Sequence, residues 1–335
     1  MSDRLRVLEL FCGIGGCAAA LGDRAEIVAA VDINQVALSV YRQNHRHPVQ
    51  VCAIESLPAD LCRAWAADLW WLSPPCQPYT IRGRRLDVHD PRAQSLLTVI
   101  ERIAEIRPRY VALENVPGFL GSQSHRRLRT ALDAGGYQVQ EQVLCATQLG
   151  VPNRRRRFYL VAGREGGLRA LRPGDWPAAG DKISGRWFTS QSPDAPRPPW
   201  QFSVRQVLDA DPAEQLWVPQ QLLDRYRTAV HVVDPDDARN ETHCFTSSYG
   251  LSIVHSGSYL ATPRGVRRFS PREILRLLCF PPDFRLPPSL TLCKAWELVG
   301  NSLSVAAVRH VLSTIPELGE IGVFKPSSAS NPCGV

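Results

Sequence analysis

Lysine is almost missing from this chain: Lys182, Lys294 and Lys325 are the only ones, although Lys and Arg together number 39. Arginine therefore carries the basic excess behind the net charge of +7, which permits a polyanionic partner without requiring one. No stretch approaches the roughly 18 uninterrupted apolar residues of a membrane span. The opening MSDRLRVLEL runs straight into a strand pattern and lacks a signal-peptide layout, so a soluble cytoplasmic protein is expected. The 10 cysteines are scattered, none in a CxxC pair, and no histidine cluster stands at zinc spacing. No metal site is therefore expected. In a reducing compartment most such thiols are small buried hydrophobes.

What is present fits a sizeable core: 335 residues, 44% of them hydrophobic, enough for one large domain or two ordinary ones. Residues 6–10, 26–31, 49–53, 69–72, 110–113, 137–144 and 157–162 read as strands. Helical patterns start at Ala18 and cover 37–44, 93–106 and 128–134. This βαβα order predicts an α/β fold with a doubly wound, mostly parallel sheet and its sites at the carboxyl ends of the strands. The texture changes after Gly163: 166–200 is rich in Pro, Gly, Arg and Trp, and 193–199 reads as loop. Short helical stretches at 204–209, 220–228 and 271–278 mix with extended ones, and 295–315 is regular again. The expected organisation is a catalytic domain from 1–165 and 291–323, a smaller irregular domain over 166–290, and a flexible tail over 324–335.

Two places carry chemistry. The first strand empties into Phe11-Cys12-Gly13-Ile14-Gly15-Gly16, where glycines let the backbone bend sharply and approach a ligand. Gly13, Gly15 and Ala18 satisfy G-x-G-x-x-A, and Asp32 ends the second strand, where a carboxylate accepts bonds from ribose hydroxyls. This pattern alone suits a nicotinamide dinucleotide as well as any other adenosine-type cofactor, or a purely structural turn.

The second place is Ser73-Pro74-Pro75-Cys76-Gln77-Pro78. Between prolines Cys76 cannot continue a regular element, so it sits on a stiff loop at a strand's carboxyl end. A nucleophilic thiol needs activation or a polarised target, and no histidine lies in the loop, which disfavours a cysteine hydrolase. The next strand ends in Glu114-Asn115-Val116, placing a carboxylate beside the thiol; if buried, it holds a proton to share with a ring nitrogen. In Asn153-Arg154-Arg155-Arg156-Arg157 alternation puts Arg155 and Arg157 on one face, within reach of the thiol's loop.

Phe11-x-Gly13-x-Gly15-Gly16, Pro74-Pro75-Cys76-Gln77, Glu114-Asn115-Val116, Arg155-x-Arg157 and Gly300-Asn301-Ser302 stand in the order seen in S-adenosylmethionine-dependent cytosine-5 methyltransferases. The chain resembles that family over about 5–165 and 264–312, and the five ordered motifs displace the dehydrogenase reading. The resemblance implies a class I methyltransferase (Rossmann-like) fold with a target-recognition domain. It implies that Cys76 attacks carbon 6 of an extruded cytosine while Glu114 hydrogen-bonds or protonates ring nitrogen 3, with Arg155 and Arg157 helping to hold the base. It places S-adenosyl-L-methionine among Phe11, Gly13, Ile14, Gly15, Asp32, Ile33, Glu55, Pro75, Asn301 and Ser302. Gln77, Asn115, Cys244, Phe245 and Thr246 are implied on the substrate side. The chemistry is coherent: carbon 5 of cytosine is a poor nucleophile until a thiolate adds next door, and carbon 6 is out of reach inside a base stack.

Cys244-Phe245-Thr246, followed by Tyr249-Gly250, resembles the tripeptide that marks the tRNA-methylating branch, the tRNA aspartate methyltransferase-like group. Pro78-Tyr79-Thr80 and Asn153 point the same way, while Tyr79 and the basic stretch 82–85 depart from that branch's pattern. An anticodon-loop cytosine is the expected target, since looped bases are easily unstacked. A DNA cytosine-5 methyltransferase, with the same mechanism, is the alternative; a catalytically idle nucleic-acid-binding homologue fits poorly with an intact Cys76 and Glu114. A monomer is expected.

Overall fold

The computed structural model describes residues 4–80, 86–164, 167–169, 202–237 and 239–319. The basic stretch 82–85, the proline-rich stretch 193–199 and the tail 324–335 lie outside them.

Adjacent tryptophans show how the core is built. Trp70 and Trp71 occupy strand β4 (Leu69–Leu72) and point to opposite faces of a sheet, each into its own apolar cluster. Both faces are covered, which is why the strand reads as an unbroken apolar run. The other strands of this half are β1 (Leu5–Leu10), β2 (Ala25–Asp32), β3 (Val49–Val51), β5 (Tyr110–Asn115), β6 (Gln138–Cys145), β7 (Asn153–Arg154) and β8 (Arg156–Gly163). All but β7 join β4 in a seven-stranded sheet of order β3-β2-β1-β4-β5-β8-β6. The strands from β3 to β5 are parallel, while β8 runs antiparallel to β5 and to β6. The link from Cys145 to Arg156 is too short for a crossover, so β8 must return antiparallel.

The helices are α1 (Gly16–Leu21), α2 (Gln35–Asn44), α3 (Ala59–Ala64), α4 (Gln94–Ile106) and α5 (Gln123–Ala134). Helix α3 shows no clear apolar period in the sequence. Helix α5 starts one turn before the apolar pattern because Ser122 caps it, accepting from the His125 amide at 3.0 Å.

The rest comprises α6 (Gln220–Arg225), β9 (His231–Val233), β10 (Thr242–His243), β11 (Ser258–Thr262), β12 (Gly265–Arg268), α7 (Pro271–Leu277), α8 (Leu292–Gly300) and α9 (Val305–Leu312). A three-stranded sheet of order β12-β11-β9 forms here, and β10 pairs in parallel with β7. Phe245, Tyr249, Phe269 and Trp296 share one apolar cluster with Val7 and Trp71, so the two halves share a core. Among the described residues no helix is long and apolar enough to cross a membrane.

Candidate active site

Registers Leu10↔Val31, Leu10↔Leu72 and Leu72↔Leu113 release β1, β2, β4 and β5 at one edge of the sheet. Every segment singled out from the first half of the sequence leaves from that edge.

The glycine turn is left-handed at Phe11 (φ 58°), Gly13 (φ 52°) and Gly15 (φ 91°). Asp32 fixes it: one carboxylate oxygen accepts from the Gly13 amide and the other from the Asn34 amide, both at 2.8 Å. An added Cβ on Gly13 would meet nothing, so this position opens toward space, while Gly15 lies against His45 and Tyr41. Beside the turn Ile33 is 68% exposed, an apolar side chain without an apolar neighbour to cover it, and Glu55 and Asn301 are exposed too. Ile14 and Ser302, by contrast, have buried side chains and offer the turn only main-chain groups.

The thiol loop is braced from below. Asn115 is buried; its side-chain amide donates to the Pro74 carbonyl at 3.3 Å. Trp71 donates to Ser73 at 2.8 Å, and the buried Tyr79 ring meets Phe119 edge-on at 4.9 Å. Cys76 itself is half-buried at the head of a single 3₁₀ turn, Gln77–Tyr79, and Gln77 is exposed. Burial pushes its thiol above the ordinary range; Arg157 and Arg155 oppose that and the Glu114 charge adds to it.

Glu114 is buried at the end of β5, opposite Tyr159 of β8. Burial raises its pKa against the pull of Arg157 and Arg155. Nε of Arg157 stands 3.2 Å from its carboxylate. Arg154 and Arg156 face solvent while Arg155 and Arg157 face in, as the alternation predicts. Asn153 locks β7 to β10, donating to Thr242 at 2.9 Å and to the His243 carbonyl at 3.2 Å, and so delivers Cys244 to the arginines. Arg155 Nη1 lies 3.3 Å and Arg157 Nη2 3.6 Å from the Cys244 sulfur.

Three expected roles change. Arg155, expected to hold the base, is 4% exposed and donates to the carbonyls of Phe245 (3.2 Å), Gly300 (3.3 Å) and Ser302. It is a clamp between two loops, since a buried guanidinium needs acceptors and three carbonyls surround it. Asn115 braces the thiol loop instead of facing a substrate. Phe245 packs edge-on against Tyr249 and Phe269, so only its backbone belongs to the site. Thr246 is half-buried, its hydroxyl 2.9 Å from that of Ser248, and its carbonyl touches Gly300: a Cβ there would lie 2.3 Å away.

Sequence reasoning missed Arg92. Its guanidinium is held bidentate by Asp90, at 2.9 and 2.7 Å, and lies near enough to the Cys76 sulfur to be influenced by its charge. The visible signal was Asp90-Pro91-Arg92, a helix-entry pattern that says nothing about a thiol.

The chain matches the profile of the C-5 cytosine-specific DNA methylase family over residues 5–317. It is 30% identical to the tRNA (cytosine(38)-C(5))-methyltransferase of Homo sapiens, covering 94% of this chain and 100% of that one. It is 31% identical to the enzyme of the same name from Spodoptera frugiperda, covering 93% and 99%. The crystal structure of Schizosaccharomyces pombe Dnmt2 methyltransferase superposes with a TM-score of 0.74 at 28% identity, covering 94% of this chain and 98% of that one.

Proposed function

The chain belongs to the C-5 cytosine-specific methylase family and is a cytosine-5 methyltransferase, and we propose that it methylates an anticodon-loop cytosine of tRNA with S-adenosyl-L-methionine as donor. The observation that carries the reaction is the convergence of a loop-borne thiol, a buried carboxyl and a guanidinium at one strand edge. Cys76 gives its proton to solvent and adds as the thiolate to carbon 6 of the extruded base, the carbon–sulfur bond forming as the carbon 5–carbon 6 double bond opens. Glu114, whose pKa burial raises, donates a hydrogen bond or its proton to ring nitrogen 3 and so neutralises the charge that the addition pushes onto that nitrogen. Arg157 orients the Glu114 carboxyl and lowers the cost of a thiolate at Cys76. After carbon 5 has been methylated its proton passes to water, the carbon 5–carbon 6 double bond re-forms as the carbon–sulfur bond breaks, Cys76 leaves as the thiolate, and nitrogen 3 returns its proton to Glu114.

The turn fits the donor. Left-handed Gly13 and Gly15 bring backbone amides close to a ligand, Asp32 and Glu55 supply carboxylates for ribose hydroxyls, and exposed Ile33 supplies an apolar face for a flat ring. When bound, the donor supplies the methyl group. Residues 202–290 serve in this reading as the target-recognition part.

For tRNA over DNA, the support is the Cys244-Phe245-Thr246 tripeptide held against Arg155 and Arg157, together with the names of the relatives. The test is methyl transfer from labelled S-adenosylmethionine to bulk tRNA and, separately, to duplex DNA. Label in tRNA is expected; label in DNA alone overturns the RNA reading. For the nucleophile, a 5-fluorocytosine substrate should trap the wild-type chain covalently but not Cys76→Ala.

A further inference from the structure

The charges around Glu114 pose a problem. The proposed reaction needs this carboxyl protonated, yet a guanidinium stands 3.2 Å away. An unshared arginine at that distance pulls a carboxyl toward its ionised form. Facing Glu114 are Arg157, Arg155, Tyr159 and, across the site, Cys76. Something must hold the arginines' charge elsewhere.

Cys244 stands where that something should be. Its sulfur lies within 3.3 Å of Arg155 and 3.6 Å of Arg157, and one guanidinium serves both groups: Nη2 of Arg157 meets the sulfur and its Nε meets the Glu114 carboxyl. Two guanidinium N–H groups aimed at one sulfur favour the anion, because charge-assisted bonds to a thiolate are stronger than those to a thiol. A thiol proton on Cys244 would donate to the Phe245 carbonyl at 3.5 Å, a longer contact than the 3.3 Å from Arg155 to the sulfur, and it would share that carbonyl with Arg155. The side chains next to it in the chain do not supply the charge: Glu241, just before β10, is paired with Arg154, and His243 is stacked on His231 at 3.7 Å.

We propose that Cys244 is a resident thiolate, the counter-ion of the Arg155–Arg157 pair, and that it leaves Glu114 free to carry the proton used on the base. It is a positioning residue acting through Arg157, distinct from the nucleophile Cys76. The two thiols divide the work by surroundings. Burial raises the pKa of Cys76 against the pull of the arginines, whereas at Cys244 the two arginines overcome burial and push the pKa down. The proposal rests on the methyltransferase reading for the use of the Glu114 proton, but the charge state of Cys244 does not depend on it.

The test has two arms. In Cys76→Ala protein, the rate of iodoacetamide alkylation at Cys244 is followed against pH by peptide mass spectrometry. A midpoint about one unit or more below the ordinary thiol value of about 8.5 is expected. A midpoint at or above the ordinary value overturns the proposal, and this arm needs neither substrate nor a Cys244 variant. The second arm is the pH profile of kcat/KM. Cys244→Ser frees the Arg157 charge, which then lowers both Glu114 and Cys76. The whole bell should move about one unit toward acid, and Cys244→Asp, which restores an anion, should move it back. A bell that stays in place while only its height falls means a merely structural cysteine and overturns the proposal. Absence of any methyl transfer by the wild-type chain would instead sink the enzyme reading, with the alkylation midpoint still deciding the charge of Cys244.

Discussion

The Tyr41 hydroxyl donates to the Glu9 carboxylate at 2.9 Å and stands 3.1 Å from Nδ1 of His47, joining the interior of β1 to the end of α2. Glu9 is buried, and burial raises its pKa to about 8, opposed by the Tyr41 bond and by the amides of Cys17 and Ala18. A carboxyl raised in the folded state favours folding below its unfolded pKa, and that contribution is lost as pH rises to the folded value. The chain should therefore lose stability progressively from about pH 4.5 to about pH 8 through this one group. Glu9→Gln removes that slope while keeping an acceptor for Tyr41. Urea midpoints at pH 5, 6.5 and 8 should show the variant gaining on the wild type as pH rises; parallel curves would contradict the assignment.

Gly15 touches the same assembly. A Cβ at this position would lie 2.6 Å from His45 Nε2 and 3.0 Å from the Tyr41 ring, and the backbone there has φ 91°. Gly15→Ala meets both a clash and a left-handed backbone, which costs about 1–3 kcal/mol. Donor affinity, measured by calorimetry, should fall about tenfold or more. Adding His45→Ala relieves only the clash, so the double variant should recover part of the loss. Full recovery would show that backbone conformation contributes nothing here.

The gradient of legibility through the sequence has a physical cause. Strand β4 was readable because both faces are buried and the run is uniformly apolar, and Leu69–Leu72 has the bounds predicted; β5 was readable over its apolar part, 110–113, and runs on to Asn115. The thiol loop was readable because prolines exclude regular structure around Cys76. Arg155 was readable only as a position, since four consecutive arginines look alike and only tertiary contacts make one of them a clamp. The family resemblance implied Asn115 and Phe245 on the substrate side as members of its motifs, yet strand alternation and ring packing turn them to the core. The antiparallel return of β8 followed from a connection length, and the apolar pattern does not encode strand direction.

Arg155 yields a contrast with its neighbour. Its planar fork reaches the carbonyls of Phe245, Gly300 and Ser302 at once, a geometry an ammonium cannot reproduce. Arg155→Lys should destabilise the chain by about 3 kcal/mol through buried carbonyls left without donors. Arg157→Lys, at a partly exposed site, should cost far less stability but lower kcat, because the ammonium cannot meet Glu114 and Cys244 together. Denaturation curves and single-turnover rates on both variants separate the roles. Equal loss of stability would place both arginines in the clamp.

Glu114 brings stability and activity into opposition. Its pKa is raised by burial, so ionising it in the folded state is unfavourable, and the chain is less stable above the ordinary carboxylate range than with a neutral side chain there. Glu114→Gln keeps the shape and removes the titration. Its melting temperature should exceed that of the wild type at pH 8, and the difference should shrink as pH falls toward the unfolded carboxylate pKa. The same variant cannot hand a proton to ring nitrogen 3, so kcat should drop by about a hundredfold or more, the typical contribution of a positioned acid. Substrate KM should change little, because the lost interaction strengthens only as the thiolate adds. A variant that is both slower and less stable at pH 8 would mean that Glu114 holds the fold together and would remove it from the chemistry.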